Sequence, residues 1–230
     1  HTNKVLAQND IVVTMAGDMG DEILCGYPKY ENMFRELKPS SWNDLLKLWM
    51  NRMKRPLKLT EDILPDGTML EELADCYSEE LWNPEDPVAS YMALDCVTQV
   101  PEEFFSRNDK YGMAYSMEGR FPLASKNFMQ YCLNIPTSQK LGKGKNDTKL
   151  LTKLAYKNIL PGEIINKEKT GWTVPVGYWL VNKIDSRLEN FYKSIMGSET
   201  LDSVKASQKV GKTLISAWVS KEWRTKYHIK

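Results

Sequence analysis

The residues Ile11-Val12-Val13-Thr14-Met15 form a continuous β-branched and apolar run closed by Ala16-Gly17, which predicts a strand buried on both faces of a parallel sheet. Elsewhere the apolar positions recur at spacings of three and four. Trp42, Leu45, Leu46, Trp49 and Met53 share one face behind Ser40 or Ser41 as cap, predicting a helix that Pro56 stops. A second helix is predicted over 88–100, ending at Pro101, and two more over Lys126–Asn134 and 148–158, the latter capped by Asn146 or Asp147. Two amphipathic helices are expected over 184–196 and 204–223. The polar stretch 58–86, with Pro65-Asp66-Gly67 and Asn83-Pro84, is expected to connect these parts and to hold a short helix over 70–82. Lys4-Val5-Leu6-Ala7 has the pattern of a last helical turn whose earlier part is missing. The expected class is therefore α/β and mostly helical, with an incomplete parallel sheet and a large helical C-terminal portion. A lone parallel strand cannot satisfy its backbone groups, so neighbouring strands are expected either from outside this chain or from segments whose pattern hides them.

Composition narrows the function classes. Of 230 residues, 42% are hydrophobic and 27% charged, as in an ordinary globular chain. Thirty-one basic against thirty acidic residues leave a net +1, so no global field favours nucleic acid or an anionic membrane, and any anion site must be local. Cys25, Cys76, Cys96 and Cys132 stand singly, and the two histidines, His1 and His228, sit at the ends, which argues against zinc and against a Cys–His nucleophile. No apolar run is long enough to span a bilayer, and the first ten residues lack a signal-peptide core, so a cytoplasmic setting without membrane is expected.

The densest chemistry follows the strand. In Gly17-Asp18-Met19-Gly20-Asp21-Glu22, three carboxylates fall within five positions beside two glycines, at the place where open α/β sheets bind ligands. Such a cluster repels itself unless a cation neutralises it, and oxygen ligands of this kind suit Mg²⁺ with phosphate. The same residues also suit a solvated turn in which Asp21 caps a helix. A second segment, Gly142-Lys143-Gly144-Lys145-Asn146-Asp147-Thr148-Lys149, is a basic glycine-containing loop running into a helix. Lys149 falls in the expected first turn, where the helix dipole disfavours a cation by about 0.3–1 kcal/mol, so either an anion such as pyrophosphate compensates or the amine lies in water. The Walker A spacing is absent. In a third segment, 109–122, Asp109, Glu118 and Arg120 are expected to form a buried ion network with a structural role.

In this order the segments resemble the C-terminal synthetase domain of glutamine-dependent asparagine synthetases. Gly17 to Glu22, continuing to Gly26-Tyr27, is similar to that family's S-G-E-G-S-D-E…G-G-Y stretch, with Ala16 for Ser and Cys25 for the first Gly. Residues 109–122 are similar to its D-R-x-S-M-A-x-S-x-E-x-R-x-P block, and Thr148-Lys149-Leu150-Leu151 to the start of its K-x-x-L-R helix. Lys169-Thr170-Gly171-Trp172, Val174-Pro175 and Trp179-Leu180 resemble K-x-G-F-x-V-P…W-L.

The resemblance implies an adenine nucleotide alpha hydrolase-like parallel sheet and a ligase using ATP and Mg²⁺. It implies that aspartate or another carboxylate is activated as an acyl-adenylate with loss of pyrophosphate, and that ammonia from a glutaminase domain attacks it. On matching positions, Asp21 and the neighbouring Glu22 would hold metal and Asp18 would stand where a catalytic glutamate lies. Lys149 would hold pyrophosphate, and Gly17 and Gly20 would let the nucleotide approach. The S-G-G-x-D-S pyrophosphatase loop is absent from this sequence, as is an N-terminal glutaminase cysteine. Residues 1–230 are thus expected to be the C-terminal part of the domain, completed by a second polypeptide that carries the loop. Ser125 and Thr152 replace a family Asp and Arg, which keeps open a degenerate interaction module. A related synthetase forming β-lactams or peptide macrocycles is a further possibility.

Overall fold

A computed structural model describes residues 1–54, 79–145 and 147–167. The helices expected over 184–196 and 204–223, the block from Lys169 to Leu180, Asn146, Cys76 and most of 58–86 lie outside the described residues. The chain divides into two compact units, one of His1–Leu45 with Tyr77–Thr170, the other of Leu46–Cys76 with Gly171–Lys230. The site below belongs wholly to the first.

After α1 (Thr2–Ala7) the expected strand forms as β1 (Val13–Met15) and pairs in parallel with β2 (Glu118–Arg120), Val13 opposite Glu118 and Met15 opposite Arg120. The pattern hid β2 because Glu-Gly-Arg has no apolar alternation and joins the ladder through its backbone alone. Burial on both faces is corrected: Val12 is 65% and Met15 74% exposed. Among the described residues β1 has one neighbouring strand.

Between the strands run α2 (Gly20–Ile23), α3 (Pro28–Asn32), a π-helical stretch Met33–Leu37, α4 (Trp42–Lys54) and α5 (Pro87–Val97). α4 starts where Ser41 Oγ accepts the Asp44 N–H at 3.1 Å, which settles the cap in favour of Ser41. α5 starts with Asp86 accepting the Ala89 N–H at 3.1 Å and with Pro87 at the first position, where its missing N–H costs nothing. The expected stop at Pro101 is also corrected. A π-helical stretch, Val100–Phe105, absorbs the proline near its own start and leads directly into α6 (Ser106–Met113).

After β2 come a 3₁₀ turn (Pro122–Ala124), α7 (Lys126–Asn134, as expected), α8 (Thr137–Lys140), α9 (Leu150–Tyr156) and α10 (Gly162–Ile165). Met19, Ile23 and Leu24 of the acidic segment pack with Cys96, Val100 and Cys132, and Phe104, Phe105 and Leu133 close the cluster. Burying Ile23 completely contributes about 1.5–3 kcal/mol, so the core fixes α2 and with it the adjoining acidic turn. Among the described residues no helix is long and apolar enough to cross a membrane.

Candidate functional site

The acidic turn leaves the C-terminal end of β1, tied back by the Ala16 N–H to the Arg120 carbonyl at 3.0 Å. Met19 adopts the left-handed backbone region at φ 78°, an unfavourable conformation for a non-glycine residue. Its fully buried side chain offsets that strain by anchoring the turn in the core. Asp18 and Asp21 are thereby left half-buried on either side of it. Asp18 Oδ2 accepts from Asn108 Nδ2 at 3.1 Å, a positioning contact from α6 that sequence reasoning missed because the partner lies ninety residues away.

Asp21 depends on Gly26. A Cβ at Gly26 would fall on the Asp21 carboxylate, 2.6 Å from its Cγ, and the Gly26 N–H donates to the Asp21 carbonyl at 2.8 Å. Gly17 has open space around it, whereas a Cβ at Gly20 would meet Leu123 Cδ1 at 3.0 Å. Gly20 therefore serves helix packing, and Gly17 leaves room beside the turn.

The basic loop meets this turn. Lys149 Nζ lies 3.0 Å from Asp21 Oδ1, with the lysine side chain 35% and the aspartate 18% exposed. Lys149 is the N-cap residue of α9, with a left-handed backbone at φ 56°, because the helix starts two residues later than expected. The cation at this helix end thus has its compensating carboxylate from α2. Asp147 does not cap. Its carboxylate rests on Gly142, where a Cβ would lie 2.8 Å from the Asp147 Cβ and on its oxygen, and it pairs with Lys153 at 3.3 Å.

Glu22 goes elsewhere. It is 2% exposed, and burial raises its carboxyl above the ordinary carboxylate range, against the opposing pull of a hydrogen bond from Tyr27. Beside it lies a network that sequence reasoning did not see. Lys29 pairs with Asp95 and sits 4.8 Å from the ring centre of Tyr30, 5.0 Å from that of Tyr27 and 5.4 Å from that of Tyr91. Tyr30 donates to Asp95 Oδ2 at 2.7 Å, and burial followed by that carboxylate pushes its phenol well up. The Tyr27-Pro28-Lys29-Tyr30 string is the available sequence signal, since an ammonium among aromatic faces is a favourable cation–π arrangement.

The ion network expected at Asp109, Glu118 and Arg120 is corrected. Glu118 and Arg120 pair at 3.0 Å on the surface, about 60% exposed, and Asp109 is exposed apart from them. The edge position of β2 keeps these charges in water. Free thiols at Cys25 and Cys96 are pushed up to about 12 by burial, which leaves them protonated and unreactive at neutral pH. A cavity of about 700 Å³ lined by Met33, Phe34, Pro84, Pro87, Leu133 and Pro136 includes neither Asp21 nor Lys149 in its wall.

The geometry thus brings one carboxylate and one lysine together at a single place. Residues 3–223 match the family model described as asparagine synthase. The chain is 25% identical over 223 residues to asparagine synthetase (glutamine-hydrolyzing) 1 of Bacillus subtilis (strain 168), a match covering 80% of this chain and 34% of that protein. Asparagine synthetase (glutamine-hydrolyzing) 3 of the same strain is 25% identical over 220 residues, with 86% and 33% covered. A Mycobacterium tuberculosis (strain H37Rv) relative is 28% identical over 136 residues, with 59% and 20% covered. The chain therefore spans about a third or less of the length of the curated relatives it matches. No solved structure matches it at comparable stringency.

Proposed function

The chain belongs to the asparagine synthase family, and from that premise we propose that it is the C-terminal part of an ATP-dependent amide-forming ligase with the family's nucleotide alpha hydrolase-like fold. The reaction would activate the β-carboxylate of aspartate as an acyl-adenylate and release pyrophosphate. Ammonia derived from glutamine would then displace AMP. The observation that carries this reading is the 3.0 Å approach of Lys149 to Asp21 across 128 residues of sequence, at the C-terminal end of β1.

Each residue then has a task. Lys149 would hold the departing pyrophosphate, stabilising charge that grows as the bond to the α-phosphate breaks. Asp21 would take Mg²⁺ through its half-buried carboxylate, completed by phosphate oxygens and water, with the Lys149 ammonium then given to the phosphate in place of Asp21. Among the described residues no group of three metal-ligating side chains occurs. When bound, Mg²⁺ would neutralise phosphate charge. Glu22, enclosed beside Tyr27, would support α2 while Asp21 takes the metal. Asp18, held by Asn108, would lie near the activated carboxylate and the incoming amine. Gly17 would give the nucleotide room to approach, and Gly20 would keep α2 close to Leu123.

That β1 has one neighbouring strand among the described residues supports a second polypeptide, which would add strands and the S-G-G-x-D-S loop. The reading also places the assembly in the cytoplasm, where ATP and aspartate are available. Co-expression with a candidate upstream half, followed by an assay for aspartate-dependent pyrophosphate release, tests it. Release that is lost in Lys149→Met is the expected result. An assembly that binds no Mg·ATP and releases nothing would favour the degenerate module, whose motivation is Ala16, Ser125 and Thr152 at family positions.

A further inference from the structure

Arg35 connects the two halves of the site. It lies fourteen residues after Asp21, in the π-helical stretch that follows α3. Its Nη2 donates to the Gly142 carbonyl at 2.7 Å and to the Gly144 carbonyl at 2.9 Å. Its Nε donates to Glu31 Oε1 at 3.0 Å, and Glu31 is itself 4% exposed, so the guanidinium is anchored before it reaches the loop. One nitrogen with two hydrogens thus fastens two carbonyls of the basic loop, through charge-assisted bonds that are about twice as strong as neutral ones.

The rest of the loop closes on that fastening. The Gly142 N–H donates to the Asp147 carbonyl at 2.7 Å, and the Asp147 carboxylate packs where a Gly142 side chain would be. Asp147 also reaches Lys153, one turn into α9. The chain therefore leaves the loop in a fixed direction and arrives at Lys149 in its left-handed conformation, facing Asp21.

We propose that Arg35 is a positioning residue that sets the reach of Lys149 to Asp21, and hence to the phosphates these two would share. The second half of that statement rests on the ligase reading; the first does not. A lysine at position 35 would keep the charge and one carbonyl contact but lose the planar fork that anchors to Glu31.

The test uses the 230-residue chain and two readouts. In the first, urea midpoints are measured for Asp21→Asn, Lys149→Met and the double variant, with Arg35 and again with Arg35→Met or Arg35→Lys. Non-additive midpoint shifts with Arg35, additive shifts with Arg35→Met and partial recovery with Arg35→Lys are expected, because contacting residues couple and separated ones add. A general loss of stability in Arg35→Met with the Asp21–Lys149 coupling retained would assign Arg35 a merely structural role and overturn the proposal, as would no coupling in the Arg35 chain.

The second readout is the affinity for magnesium pyrophosphate. Arg35→Met should weaken it about tenfold, and by less than about twofold when Lys149 is already Met. Pyrophosphate that binds no version of the chain, while the midpoint coupling follows Arg35, would overturn the part of the proposal that concerns the shared phosphates and leave the positioning role standing.

Discussion

Lys140 and Lys149 bracket one glycine-containing loop, and the fold gives them opposite surroundings. Lys140, at the end of α8, is fully buried and its Nζ has no hydrogen-bond partner among the described residues. Asp86 is nearby, but its oxygens already accept from Thr137 at 2.7 Å and from the Ala89 N–H at 3.1 Å. Burial pulls the Lys140 amine below the ordinary lysine range, with Cys25 and Asp86 opposing weakly. Lys149, nine positions later, is a third exposed and faces Asp21. The contrast separates a lysine that costs stability from one that is offered, charged and reachable, at the mouth of the acidic turn. On the proposed reading, the phosphate would be held by the second.

The largest effect should come from breaking the loop that separates them. Gly142→Ala puts a methyl group into the Asp147 carboxylate, and overpacking of this kind costs about 1–3 kcal/mol. A lowered urea midpoint together with loss of the Asp21–Lys149 coupling is the expected outcome.

Next in size, Lys140→Met should stabilise the chain by about 1–2 kcal/mol, because it removes an unpartnered buried polar group. Its pH signature sharpens the comparison. A base whose native pKa lies below its unfolded value destabilises when charged, so the penalty from Lys140 is relieved as pH rises toward about 10.5. Cys25 and Cys96 act in the other direction: their native values near 12 exceed the unfolded 9.0, so stability falls as pH rises through that interval. The difference between wild type and Lys140→Met isolates the lysine, and it should shrink toward alkaline pH. A constant difference would contradict a buried charge at Lys140.

The smallest effect on stability belongs to Lys149→Met, under about 1 kcal/mol, because a partly exposed ion pair contributes little. A loss well above that by urea unfolding would mean that the residue serves the fold first.

How much of this could be inferred from residue pattern varies with sequence distance. β1 and the acidic turn were legible because a β-branched run followed by two glycines and three carboxylates is a local signal. α7 and α4 were legible because their apolar positions repeat within a few turns. β2 was hidden because three residues, Glu118 to Arg120, pair through the backbone and carry no apolar pattern. The helix-dipole argument at Lys149 left open a compensating anion or an amine in water, and the carboxylate that faces it, Asp21, could not be named from spacing. Arg35 and Asn108 were illegible for the same reason: their partners lie 107 and 90 residues away, and a surface arginine or asparagine looks the same whether or not it has them. The network supposed at 109–122 failed because mixed charges beside apolar residues do not reveal which edge of a strand faces water.

Calorimetric titration of magnesium pyrophosphate into the chain, with Asp21→Asn and Lys149→Met alongside the wild type, tests the shared phosphate site most directly. The account predicts a measurable heat in the wild type and an affinity at least about tenfold weaker in each variant, an interaction worth ~1.4 kcal/mol. Equal affinity in all three would contradict it.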